Sequence, residues 1–167
     1  MVELAHQIAI FGFALLMLIA AWTDVQRYTI PNWVVLAMLG LWVVASPFLG
    51  LSWGGAGLSV LTFVVVLALG MALWAPGWLG GGDVKLIAAG ALWFGWPDVL
   101  AFVLFAAAAG GVLALILLAL RRISPVLPVS AELLGKTPLA EGAPAPYAVA
   151  IAAGTLIVLP GSALFLG

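Results

Sequence analysis

Leu79-Gly80-Gly81-Gly82-Asp83-Val84-Lys85 precedes an uncharged run from Leu86 to Trp96, and the way these two pieces join decides the fold. A helix that crosses a bilayer needs about 20 predominantly apolar residues. The uncharged run alone is too short to cross, so a span here must take in the glycine-rich stretch. That draws Asp83 to the membrane boundary or inside it, with Lys85 free to snorkel outward along its aliphatic stem. The sequence thus predicts an ionisable residue beside three successive glycines at the edge of a membrane helix.

Composition supports a bilayer as the solvent. Of 167 residues, 66% are hydrophobic and 7% charged, with a mean hydropathy of +1.34; soluble domains typically carry about 25% charged residues. No soluble fold hides that much apolar surface, whereas lipid tails can surround it. Proline, glycine and charge divide the chain into six candidate spans near residues 4–24, 32–50, 57–75, 78–96, 98–120 and 144–166. The prediction is an all-α polytopic membrane protein: one membrane-embedded domain over residues 1–167 with six transmembrane helices. Residues 121–143, with prolines among apolar and charged residues, read as an interfacial loop in which a short amphipathic helix around 129–136 fits. Met1-Val2-Glu3 lacks the basic start of a signal peptide, so the first apolar run is kept as a helix.

Alternating spans put the 25–31, 76–83 and 121–143 connections on one side, and with Lys85 counted there all five basic residues share it. By the positive-inside rule that face is cytoplasmic. Both termini then lie outside, in the periplasm of a Gram-negative cell, with Glu3 and Asp98. Five basic residues and a net charge of −1 form no patch suited to nucleic acid. The absence of cysteine removes disulfides, thiolate catalysis and cysteine-ligated metals. With His6 the single histidine and the acids scattered, no metal site and no cofactor are expected.

Asp24 ends the first span, and an anion at a helix C-terminus faces the negative end of the macrodipole. An ionisable residue near membrane depth is a functional candidate; the plain alternative is a surface aspartate paired with Arg27. Asp83 follows glycines that suit close backbone approach by a peptide or a packed helix. Its plain alternative is a cap at the start of a helix. The pair is more telling than either residue, because the charge count puts both at the same cytoplasmic edge. Two neighbouring carboxylates share a proton and titrate as a unit. One then acts as base toward water while the other donates to a carbonyl oxygen, which hydrolyses a peptide bond without metal, cysteine or serine.

Asp24, Arg27 and Ile30-Pro31-Asn32 after a first span, with Gly80-Gly81-Gly82-Asp83-Val84-Lys85 opening a fourth, resemble the type IV prepilin peptidases. These are membrane aspartic proteases with a Gly-x-Gly-Asp motif, and the resemblance covers nearly the whole chain. It implies Asp24 and Asp83 as the catalytic pair, Gly80 and Gly82 as motif support, and Lys85 as a flanking base, with Arg27 near the first aspartate. It also implies cleavage of a prepilin leader at the cytoplasmic face of the bacterial inner membrane. Long members carry an inserted cytoplasmic domain with paired cysteines and N-methylate the new terminus. This chain lacks cysteines and room for that domain, so it looks like the short peptidases of tight-adherence (Flp) pili, with no methyltransferase activity expected. Prepilins and the lipid bilayer are the implied partners, with a second copy of the chain or pilus-assembly proteins as further candidates.

Other residues read more plainly. His6 is a polar residue at a headgroup boundary, Asp98 a cap of the fifth helix, Gly110-Gly111 a helix-packing face, and the eight tryptophans interfacial belts. Tyr147 stands at the inner start of the sixth span, near enough in topology to approach the site. The rival reading is a small transporter or proton-coupled protein using Asp24 and Asp83 as ion or proton sites, and a non-catalytic assembly factor is the third.

Overall fold

The computed structural model describes residues 1–123 and 143–166. Most of the expected interfacial loop, with its helix around 129–136, lies outside the described residues. Among those described every regular element is a helix. They are α1 (Val2–Arg27), α2 (Asn32–Ala45, continued by a 3-10 turn Ser46–Phe48), α3 (Trp53–Trp74), α4 (Gly81–Phe94), α5 (Asp98–Ile123), α6 (Tyr147–Val158, continued by a 3-10 turn Leu159–Gly161) and α7 (Ala163–Leu166).

Local chemistry sets several of these boundaries. Tyr28 closes α1 in the left-handed region at φ 51°, its N–H bonded to the Asp24 carbonyl at 2.8 Å. Pro31 then starts α2 from an extended conformation, the common sequence of a left-handed cap followed by a proline that cannot continue the helix. Ser52 caps α3 by accepting the Gly55 N–H at 3.0 Å.

Among the described residues a helix overlaps each of the six expected spans, but only some have the length of a span. α1, α3 and α5, of 26, 22 and 26 residues, are long and apolar enough to cross a membrane; α2 and α6 with their 3-10 turns form shorter apolar segments. The expected 78–96 span contracts to the 14 residues of α4, about 21 Å at 1.5 Å per residue. Its limits are set by Gly80, extended at φ −70° and ψ 139°, and by Gly95 at φ 61°. α4 is the inner helix: α2, α3, α5 and α6 all pack on it, and Val84, Leu86 and every residue from Ala88 to Phe94 are buried. A helix shielded from lipid by its neighbours is released from the length rule that governs a lipid-facing span.

Aromatic stacking joins α4 to its neighbours. Phe13 of α1 stacks on Trp93 with ring centroids 4.7 Å apart, Phe94 stacks on Phe102 of α5 at 4.9 Å, and Trp93 Nε1 donates to the Met38 carbonyl of α2 at 3.1 Å. Gly90 makes this packing feasible, since a Cβ there would lie 2.6 Å from Phe102 Cζ and 3.0 Å from Met17 Cε. Both neighbours are fully buried and have little room to retreat. Gly90→Ala is therefore expected to destabilise the protein by about 1–3 kcal/mol, despite the better helix propensity of alanine. Thermal unfolding in detergent micelles checks this as a lowered midpoint.

α3 is the least buried of the long helices. Only Ser59 and Thr62 of its residues are buried, and its wide face toward α5 leaves an apolar cleft of about 740 Å³ floored by α4. Val65, Leu69, Val99 and Val103 line its walls, and Leu79 and Val84 are at the end nearest the glycine run.

One expectation is corrected at the far end of the bundle. Asp98 was expected to cap α5; its Oδ2 instead accepts the Ala163 N–H at 2.7 Å, so it caps α7, which the chain's return brings alongside. His6, read as a polar residue at a headgroup boundary, is buried, with Nε2 2.7 Å from the Leu164 carbonyl oxygen. Burial of an imidazole is tolerable when such a partner is present.

Candidate active site

Asp24 lies on the last turn of α1 and is only 6% exposed. Its Oδ2 accepts the backbone N–H of Ala148 at 3.0 Å. Ala148 is the second residue of α6, and the residue before that helix, Pro146, has no side-chain group with which to cap it. Asp24 therefore supplies the cap from another helix. The positive end of α6 faces the carboxylate and offsets its unfavourable place at the negative end of α1. The pairing of Asp24 with Arg27 is not seen: Arg27 is exposed, and Asp24 turns inward to α6.

Asp83 is the third residue of α4 and half-buried. Its carboxylate folds back over Gly80, the N-cap residue of the same helix. That is the direction a capping-box acid takes, three residues in and turned toward the N-cap. The plain expectation had Asp83 as a cap at the start of the helix; the structure puts Gly80 at the cap position.

The three glycines have separate reasons. A Cβ at Gly80 would lie 2.5 Å from Asp83 Oδ2, so the glycine leaves the space in which the carboxylate sits. A Cβ at Gly81 would press on the Trp74 indole at 3.3 Å. A Cβ at Gly82 would come within 3.3 Å of Ile30 Cβ. Ile30 belongs to the connector leaving α1 just after Asp24, so Gly82 lets the start of α4 settle against it. That approach brings the aspartates of α1 and α4 within electrostatic reach of each other.

The flanking bases are arranged otherwise. Lys85 is exposed and donates from Nζ to Asn32 Oδ1 at 3.1 Å, tying the start of α4 to the start of α2. Of the six candidate residues, the structure gathers Asp24, Asp83, Gly80 and Gly82, while Lys85 and Arg27 stay exposed at the edge. It adds the Ala148 backbone, which sequence reasoning missed. A signal was present: a helix starting after Pro144-Ala145-Pro146 carries orphan N–H groups and no side chain to satisfy them. Tyr147 does approach the site, since it stands directly before Ala148, whose N–H binds Asp24. Gly110 packs against the Tyr147 ring, while Gly111 has open space beside it, so only the first of that pair serves as a packing face.

A model of the type IV leader peptidase family matches residues 11–115, more than half of the chain. The matched stretch contains Asp24, Asp83 and the glycine run and ends within α5, before Tyr147 and Ala148. Neither among curated proteins nor among solved structures is there a match. Among its described residues the chain is all-helical, with membrane-length apolar helices, and it belongs to the type IV leader peptidase family.

Proposed function

We propose that this peptidase is a membrane aspartic endopeptidase that cleaves the N-terminal leader of type IV prepilin-like proteins of the Flp type. It acts at the cytoplasmic face of the bacterial inner membrane, with both termini periplasmic and Asp24 and Asp83 as the catalytic pair. The observation that carries the reading is the convergence of two carboxylates from separate helices, one buried and one half-buried, within electrostatic reach of each other. Both lie at helix ends, Asp24 on the last turn of α1 and Asp83 on the first turn of α4. A transport site sits typically near the bilayer midplane, so this placement weighs against the transporter reading.

The chemistry is general acid–base catalysis. One carboxylate takes a proton from water as the water oxygen attacks the scissile carbonyl carbon, and the other, protonated, donates to the carbonyl oxygen. Collapse of the tetrahedral intermediate breaks the C–N bond, and the leaving nitrogen takes up the proton. No cofactor is required, and methylation of the new terminus is not part of the reading. The apolar cleft between α3 and α5 adds support, because it ends at Leu79 and Val84 beside Asp83. A substrate helix seated along it delivers the bond just before its apolar segment to the aspartates.

The test is the purified protein in liposomes with an Flp-type prepilin. The expected result is a shortened product whose new N-terminus, by mass spectrometry, begins next to the hydrophobic segment. An intact precursor together with ion-dependent flux would replace this reading with the transporter.

A further inference from the structure

We infer that Tyr147 is a third chemical group of the site, its phenol donating a hydrogen bond to the substrate carbonyl oxygen as that oxygen gains charge; this rests on the peptidase reading above. Tyr147 is the first residue of α6, directly before Ala148, whose N–H holds Asp24. The position of one catalytic carboxylate and that of the phenol are thus set by the same helix start.

The hydroxyl end of the ring rests on α5. A Cβ at Gly110 would lie 2.6 Å from both Cζ and the phenol oxygen, so the backbone of α5 is cut away where the tyrosine rests. Tyr147 is half-buried. Among the described residues its phenol oxygen has no hydrogen-bond partner. A neutral phenol carries an O–H for donation, and the helix start it belongs to already holds Asp24 through the N–H of the next residue.

The chemistry has a place for such a donor. The two carboxylates supply one base for water and one donor for the carbonyl oxygen, whereas the tetrahedral intermediate carries an oxygen able to accept more than one hydrogen bond. A preorganised donor aimed at developing charge is typically among the larger contributions to catalysis, and removing one costs about 10²–10³ in kcat. No proton changes hands at Tyr147 in this role; it stabilises the charge and is restored when the C–N bond breaks.

Tyr147→Phe separates this role from packing, because the ring and its contact with Gly110 are kept. In liposomes with an Flp-type prepilin, kcat is expected to fall by about 100-fold, with KM and the thermal midpoint unchanged. Gly110→Ala, which keeps the phenol but pushes the ring off α5, is expected to lower kcat as well and to add little in the Tyr147→Phe background. Wild-type turnover by Tyr147→Phe, or a rise in KM with kcat retained, overturns the inference while leaving the peptidase reading intact. An inactive wild-type enzyme overturns the peptidase reading and the role of Tyr147 with it.

Discussion

Asp83→Asn and Asp24→Asn, each made in the reconstituted protein, are expected to lower prepilin cleavage by about 10²–10⁴-fold, the range contributed by a positioned acid or base. The substitutions are nearly isosteric, and the hydrogen bond that holds Asp24 survives them. An amide at position 83 has the size and shape of the carboxylate that folds over Gly80, and an amide oxygen at position 24 can still accept the Ala148 N–H. The start of α6 therefore keeps its cap, and the proteins should accumulate in membranes with thermal midpoints close to that of the wild type. What is lost is the ability to take a proton from water or to hand one to a carbonyl oxygen. Processed and unprocessed prepilin separate on a gel, so co-expression gives the first readout and single-turnover kinetics in liposomes the second. Normal processing by either variant rules out the paired-aspartate mechanism, and tolerance of alanine at both positions favours a non-catalytic assembly factor.

Gly80→Ala is the second large effect, and it separates activity from stability. Gly80 sits at φ −70° and ψ 139°, a conformation that alanine adopts without strain. Its position is exposed, so the fold itself has room for a methyl group. The new Cβ nevertheless falls 2.5 Å from Asp83 Oδ2, and the cheapest relief is rotation of the carboxylate away from Gly80 and out of its present place. The stability cost should be that of a poorer N-cap, about 0.5–1 kcal/mol, whereas cleavage should drop by about 10²-fold, the lower end of what a misplaced acid or base costs. Circular dichroism melts and turnover measured on one preparation show the two effects side by side. Equal turnover in Gly80→Ala and wild type would mean that the carboxylate does not need its present position.

The location of the site was largely legible along the chain. Asp24 and Asp83 stood out because a charge near membrane depth is costly, and the basic residues put both at one edge. Their partners were less legible. The N–H that holds Asp24 belongs to Ala148, 124 positions away in sequence, and a backbone donor leaves no trace in residue type. Lys85 and Arg27 were singled out by proximity in sequence, and neighbours along a helix need not share a face: Lys85 reaches Asn32, and Arg27 is exposed while Asp24 turns inward. The helix that Asp98 caps is α7 rather than its own, which proximity in sequence does not show.

By itself the sequence determined that the chain is helical and apolar beyond what water tolerates, that cysteine chemistry is absent, and that two aspartates stand out near the ends of apolar segments. These follow from composition and from the cost of charge near lipid, which are local properties of residues. Tertiary structure alone decided that the glycine-led segment is a short inner helix and not a lipid-facing span, because burial by four neighbouring helices replaces contact with lipid. It also decided that Gly82 lets α4 approach the end of α1, that the start of α6 caps Asp24, and that Gly110 makes room for Tyr147. Each of those depends on a contact between residues far apart in the chain, set by which surfaces remain to be filled once the helices pack.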